Sequence, residues 1–280
     1  TLLISDNFST DSTNLICKEF EKNDKRIQYV LQKKNIGILD NFLYLLNHAD
    51  SKYFVWIASD DFWKPTFLEK NISILDSNSN VVGSSSKVGI IGDYYHKFDI
   101  KKNDNLFKKL YKKLRQHYLS LDFYSICGIS VNQRINLCFR SFRYALFLYG
   151  VFRTDILKKS VIFETTYPWD WGLILIILKY GDLHLINEIL TNRSPGGASN
   201  SNAIDLFNAK IVKFHHILFP KVIFTKWFLK IFGKKIFFQN IGFFIKLNFS
   251  GFTIIFLDSI KYLKSLNFRK DINKEKGLHY

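Results

Sequence analysis

Two adjacent carboxylates, Asp60 and Asp61, follow six apolar residues running from Tyr53 to Ala58, with only Ser59 between. Side by side they repel each other, so a positive group must sit between or beside them. A divalent cation held by carboxylate oxygens, with a substrate diphosphate supplying further ligands, meets that demand. The plainer alternative is an acidic turn in which Asp61 caps the next helix. A short apolar run bounded by polar residues suits a strand buried on both faces, as in a parallel sheet. Such sheets bind ligands beyond the carboxyl ends of their strands, where this pair would lie.

The elements that must position the pair follow from patterning. Leu2-Leu3-Ile4 reads as a strand ending at Ser5-Asp6-Asn7, and Ser9 to Thr13 as a run of helix-capping residues. The helix after it is expected to bury Leu15, Ile16 and Phe20. Ile27 to Leu31 is a second strand, and Gly37 sits in a loop where a positive φ suits glycine. Phe42, Leu45, Leu46 and Ala49 share one helical face; Leu68, Ile72 and Leu75 line another helix after Pro65. Val81-Val82 opens a further strand. This alternation predicts an α/β fold with a parallel sheet. Farther on, Leu106 to Leu114 predicts a basic helix, Leu173 to Leu178 a helix core and Leu183 to Leu190 a strand.

Of 280 residues, 47% are hydrophobic, enough for a sizeable core. Methionine is absent even at position 1 and the chain opens inside an apolar run, so the true N-terminus is expected upstream. Cys17, Cys127 and Cys138 form no CxxC pair and read as buried free thiols in a reducing compartment. The net charge of +16 is uneven. Residues 1–82 hold 9 Lys+Arg and 11 Asp+Glu, the remainder 31 and 13, which points to an anionic partner for the second part. From Ile204 to Phe268, ten lysines face only Asp205 and Asp258 among dense aromatics, a composition that fits an anionic membrane surface. Ile236 to Leu257 is long enough to cross a bilayer, but Gln239, Asn240, Asn248 and Ser250 favour lying on it; a helical extension packed on the domain is the alternative.

The residues from Ile4 through Thr13 resemble the second strand and turn of family 2 glycosyltransferases. Asn35-x-Gly37 with Asn41-Phe42 follows at that family's interval, and Trp56 to Asp61 resembles its metal-binding DXD region. Gly150 to Thr154, Trp169-Asp170-Trp171 and Arg193-x-x-Gly196-Gly197-x-Ser199 resemble the acceptor half of a bacterial subgroup acting on cell-envelope polysaccharide. The likeness covers roughly residues 1–200. It departs in three places: the family's first strand is absent, Ala58 stands where DXD has its first Asp, and no Arg follows Gly37.

The resemblance implies a GT-A fold, a Rossmann-like mostly parallel sheet flanked by helices. A nucleotide-sugar half would span 1–92, an acceptor half 93–203 and a basic aromatic membrane-associating helical region 204–280. It implies inverting transfer from a UDP-like nucleoside diphosphate sugar to a lipid-linked or polysaccharide acceptor, at the inner face of the cell membrane. Asp60 would bind Mg²⁺ or Mn²⁺. Asp6 would accept a hydrogen bond from the base, with Asn35, Gly37, Asp61 and Arg193 completing the donor site. Asp170, between two tryptophans, is the expected base for the acceptor hydroxyl, with Glu164 in reserve. A helix cap is the alternative for Asp170, and a turn carboxylate for Asp6. A basic nucleic-acid-binding protein would explain the charge but not the Asp pair, and no nucleic-acid motif is present, so no nucleic acid is expected. An inactive relative is the other alternative.

Overall fold

A computed structural model describes residues 1–91, 99–120, 124–140, 144–161, 169–194 and 220–249. Strand β1 (Leu2–Asp6) pairs in parallel with β2 (Ile27–Leu31) across helix α1 (Thr13–Asn23), and helix α2 (Ile38–Asn47) follows. Strands β3 (Tyr53–Phe54), β4 (Asp61–Trp63), β5 (Val81–Ile90), β6 (Val151–Arg153) and β7 (Asp182–Arg193) form a second sheet in the order β3-β6-β5-β7-β4. Helices α3 (Phe67–Ser77), α4 (Leu106–Ser120), α5 (Val131–Arg140), α6 (Thr154–Ser160), α7 (Trp169–Ile177) and α8 (Pro220–Gln239) complete the named elements.

The α/β class, the flanking helices and the long parallel ladders are as expected, and the five-stranded sheet adds short antiparallel pairings. β5–β7 runs parallel, while β3–β6, β5–β6 and β4–β7 run antiparallel. The long apolar run is also not one strand. Only Tyr53 and Phe54 enter the ladder. Trp56 is pulled into the core instead, donating its Nε1 to Phe42 O at 3.1 Å and packing its ring on Phe42 and Phe54. A turn closed by Asp61 N–H to Ala58 O then makes Asp61 the first residue of β4 rather than the end of a buried strand.

The sheet centre is tightly fitted. A Cβ on Gly83 of β5 would lie 2.5 Å from the Phe152 ring and 2.8 Å from Leu183 Cδ2, so only glycine lets β5 lie between β6 and β7 there. Arg153 ends β6 by donating to the carbonyls of Leu75, Asn78 and Val81, a structural clamp on the α3–β5 connection. Under α3, Phe67, Leu75, Val81, Val151 and Leu190 form a small cluster. The α1 expectation fails: Leu15 is 72% and Phe20 59% exposed, and Ile16 is exposed too. No residue of β1, β2 or α1 belongs to either core cluster, so nothing among the described residues covers that face. Nor are the thiols all buried: Cys138 is, Cys17 is intermediate and Cys127 is exposed.

The main cluster lies on the other side of the sheet. It takes Leu46 and Trp56 from the first third of the chain, Ile135, Phe152 and Leu173 to Leu175 from the middle, and Phe224, Trp227, Phe228 and Phe244 from the basic region. α7 is apolar nearly all round, as a helix covered on several sides must be. α8 lies on it through Phe224, whose ring meets Trp171 edge-on at 5.9 Å. A further helix over 241–249 follows a break at Asn240 and stacks Phe243 on Phe139 at 3.8 Å. The aromatics expected at a membrane are thus largely core here, because α5 and α7 present apolar faces that they cover. Phe214 and Phe219 lie outside the described residues. No helix of the described residues is long and apolar enough to cross a membrane, and 250–257 of the expected span lie outside them.

Phe228, fully buried against Phe232 and Phe244 at 4.5 and 4.8 Å, tests this placement. Phe228→Ala is expected to lower unfolding stability by about 3–5 kcal/mol in denaturant titrations without lipid. A helix that merely lies on a bilayer would lose almost nothing in that assay.

Candidate active site

Two polar clusters form where the strands end. At the end of β1, Asp6 is buried. Its Oδ1 accepts the Ser9 N–H at 2.7 Å and its Oδ2 accepts the Tyr29 hydroxyl at 2.7 Å. Burial alone pushes this carboxyl up, but the Tyr29 and Ser9 hydrogen bonds outweigh it and hold Asp6 below the usual carboxylate range. The bond to Ser9 is the turn interaction given above as the alternative for Asp6. Phe8 within that turn has φ 72, uncommon for a residue with a side chain.

The neighbouring loop is tied to this turn by asparagines. Asn7 Nδ2 donates to Asn35 Oδ1 at 3.1 Å and to Gly37 O at 3.2 Å, and Asn7 Oδ1 accepts the Ile36 N–H at 2.8 Å. Asn35 Oδ1 also accepts the Gly37 N–H at 2.9 Å. Gly37 has φ 90, as its loop position predicts. Asn41, on α2, donates to Ser5 O at 3.0 Å and accepts from Ser5 Oγ at 2.6 Å. Asn35 and Gly37 therefore shape the loop beside Asp6. Tyr29 was not selected by sequence, and Asn7 and Asn41 were quoted there only within motifs, without a role; the partners of all three lie on other elements.

The second cluster gathers Asp60, Asp61, Arg193, Asp170 and a residue sequence did not select, Tyr149. Asp61 and Arg193 face each other across the β4–β7 ladder. Arg193 Nε approaches Asp61 Oδ1 at 3.5 Å, an ion pair without hydrogen-bond geometry, and neither Asp61 oxygen has a hydrogen-bond partner. The Asp61 side chain is 2% exposed. Burial pushes its carboxyl up, Arg193 pulls it down, and the Asp60 charge adds to the rise. The Arg193 guanidinium lies over the Tyr149 ring at 4.5 Å, a cation–π contact. Tyr149 is itself pushed up, first by burial and then against Arg193 by the charges of Asp61, Asp170 and Asp60, so all three carboxylates lie within electrostatic reach of one phenol.

Asp170 stands in the first turn of α7, its Oδ1 accepting the Trp171 N–H at 2.9 Å. This is partly the capping role given above as its alternative, and it leaves Oδ2 outside that bond. Burial raises the Asp170 carboxyl; the Trp171 N–H and the Lys221 charge oppose the rise. Glu164 and the loop from Pro195 to Ser199 lie outside the described residues. α2 spans the two clusters: Asn41 holds Ser5, while Phe42 packs on Trp56 at 5.5 Å and on Trp169, next to Asp170, at 5.6 Å.

The donor set suits Mg²⁺ or Mn²⁺. Asp60 and Asp61 offer hard carboxylate oxygens, and both Asp61 oxygens are buried without hydrogen bonds, the condition a cation would relieve. No group of three or more His, Cys, Asp or Glu residues suited to a metal ion occurs among the described residues. Substrate and water oxygens would complete such a shell, as is usual for Mg²⁺.

Tyr29→Phe removes one of the two bonds that depress Asp6. The loss is expected to be about 1–3 kcal/mol near neutral pH. A carboxyl depressed on folding stabilises the protein above its unfolded value, and that contribution is lost as pH falls through the folded one. The gap between wild type and variant should therefore narrow in acid; urea titrations at about pH 7 and about pH 3 check this. A gap of equal size at both would assign the loss to packing.

Residues 1–136 match the family model described as Glycosyl transferase family 2. An uncharacterized glycosyltransferase of Haemophilus influenzae is 32% identical over 110 residues, 36% of this chain and 34% of that protein. TuaG of Bacillus subtilis, named for teichuronic acid biosynthesis, is 35% identical over 78 residues, 28% and 31% of the two chains. The chain thus spans about a third of the length of these curated relatives. Among solved structures, residues 1–349 of S. aureus TarS in complex with UDP-GlcNAc align at a TM-score of 0.49 and 13% identity, over 90% of this chain and 72% of that one. Residues 1–136, which hold Asp6, Asn35, Gly37, Asp60 and Asp61, are the part of the chain that is similar to family 2 glycosyltransferases.

Proposed function

We propose that this chain transfers a sugar, with inversion, from a UDP-like nucleoside diphosphate donor to a lipid-linked or polysaccharide acceptor in cell-envelope glycan synthesis. The observation that carries this is the gathering of Asp60, Asp61, Arg193 and Asp170 around Tyr149. The family match over residues 1–136 and a TuaG relative named for teichuronic acid biosynthesis support this choice of reaction and acceptor class.

The roles follow from charge. Asp6, with Asn35 and Gly37 holding its loop, faces the base of the donor. Arg193 and the Asp60–Asp61 pair take the diphosphate. Asp60, backed by Asp61, would hold Mg²⁺ or Mn²⁺, which as a Lewis acid stabilises negative charge on a leaving diphosphate. The acceptor hydroxyl oxygen bonds to the anomeric carbon as the bond from that carbon to phosphate oxygen breaks. The bonding pair leaves with the diphosphate, and the hydroxyl proton passes to the Asp170 carboxylate. Burial beside Trp169 and Trp171 suits Asp170 to that task, because a raised carboxyl is a stronger base.

The functional division is then a donor half at 1–92, an acceptor half at 93–203 and a basic region at 204–280, built on one shared core. The basic region carries a surface suited to an anionic membrane, at the inner face of the cell membrane. Phe238 at the end of α8 and Ile241 and Ile245, one turn apart on the helix after the break, are exposed along with Lys234, Lys235 and Lys246.

Asp170→Asn is expected to lower turnover about 10²–10⁴-fold with donor affinity nearly unchanged, since an amide keeps the shape but takes no proton. Turnover kinetics with UDP-GlcNAc, alongside Asp60→Ala, test the reading: normal rates in both variants would overturn it. Vesicle co-sedimentation tests the surface. Binding should need anionic lipid and weaken as salt rises, because the Debye length shrinks to about 3 Å at 1 M. Equal binding to neutral vesicles would exclude the basic residues from the interaction.

A further inference from the structure

We propose that Lys221 is a positioning residue for Asp170, its ammonium serving as the counter-charge that keeps the carboxylate ionised and aimed at the acceptor hydroxyl. The proposal rests on the reading of Asp170 as the base. Lys221 lies beyond the residues of the family match and belonged, by sequence, to a region read as membrane-facing. The fold turns it the other way.

Lys221 is the second residue of α8, and three positions on is Phe224, fully buried with its ring edge-on to Trp171. Residues three apart share a helical face, so anchoring Phe224 turns Lys221 toward α7 as well. Its Nζ lies over the Trp171 indole at 4.6 Å from the ring centroid. Its backbone is held from a third element: Lys221 O accepts the Thr225 hydroxyl at 2.7 Å, and Thr225 Oγ1 accepts Asn248 Nδ2 at 2.9 Å from the helix over 241–249. The side chain is therefore placed by three packed helices rather than left to wave in solvent.

Trp171 is bonded through its own N–H to the Oδ1 of Asp170, the residue before it, so the ammonium stands over the immediate neighbour of that carboxylate. The two groups sense each other's charge, yet no ion pair within 4 Å joins them. Burial pushes the Lys221 ammonium down to about 8, against the pull of Asp170. Among the described groups, Tyr149 also senses the Asp170 charge, together with those of Arg193, Asp61 and Asp60. A half-buried lysine that rests on an indole face and makes no ion pair among the described residues gains little for stability alone. Beside a base it has a task. Burial raises the Asp170 carboxyl, and without a nearby positive charge more of it would be protonated before an acceptor arrives. The separation leaves the carboxylate open to a hydroxyl, which a tight ion pair would block.

The test reads Asp170 directly. Full-length chain is labelled with ¹³C at the aspartate carboxyls, and the Asp170 resonance is assigned by its loss in Asp170→Asn. Its titration is followed in wild type and in Lys221→Met, Lys221→Gln and Lys221→Arg. The midpoint should move to higher pH in the Met and Gln variants and stay near wild type in the Arg variant, which keeps the charge. A midpoint that stays in place in whichever of the neutral variants folds, or that moves equally in the Arg variant, overturns the proposal. The coupling is measured without turnover, so its failure is distinct from that of the base assignment, which Asp170→Asn kinetics decide.

Discussion

A carboxylate removed from water must be compensated, and Asp61 is compensated only in part. Its cross-strand partner Arg193 stands at 3.5 Å, outside hydrogen-bond geometry, and both its oxygens lack hydrogen-bond partners. Buried charge held this way costs stability unless something else supplies positive charge. The sheet makes the arrangement unavoidable. β4 begins at Asp61, β7 ends at Arg193, and their register sets the two opposite each other. β7 is fixed in turn by its long parallel ladder with β5, which Gly83 allows to lie close to Phe152. Tyr149, just before β6, supplies the ring under the guanidinium. The ladder that builds the fold thus also leaves an electrostatic demand where an anionic donor and its cation would bind.

The donor loops solve a different problem. A short turn after a strand has backbone groups that no ladder satisfies, and here side chains satisfy them. Asn7 and Asn35 tie one loop to the other, and Asp6 closes its own turn on Ser9. Gly37 takes the positive φ that the connection into α2 requires. α2 then does two jobs with adjacent residues: Asn41 holds the end of β1, and Phe42 packs between Trp56 and Trp169. A shift of α2 would move both clusters together, which couples the end proposed to take the nucleotide to the end proposed to carry the base.

The basic region illustrates how composition and geometry divide the same residues. Aromatics and lysines on one helix suit a membrane surface or a core face equally well until the neighbours are known. α5 and α7 present apolar surfaces, and burying Phe224 and Phe228 against them removes those rings from any lipid contact. The kink at Gly233, with φ 78, and the break at Asn240 then turn the chain, so that Phe238, Ile241 and Ile245 face outward instead. One stretch supplies a core helix, a lysine for the site and a separate apolar stripe.

Local chemistry was enough to place β1, β2, Gly37, α2, the basic helix α4 and β7, because periodicity, turn residues and short-range spacing decide those elements. It singled out the Asp60–Asp61 pair, whose charges follow an apolar run, whereas Asp170 and Arg193 were drawn from the family resemblance. Tertiary structure decided the rest. The run from Tyr53 to Ala58 broke after two strand residues because Trp56 gains more from Phe42 and Phe54 than from a ladder. Leu15 and Phe20 stayed exposed because α1 meets β1 and β2 with its other side and no described element covers the side that carries them, which no helical periodicity can foresee. Tyr149 and Lys221 entered the site from distant positions, one under Arg193 and one over Trp171. Their roles depend on partners about 40–50 residues away along the chain, and contacts at that range are set by packing, not by local sequence.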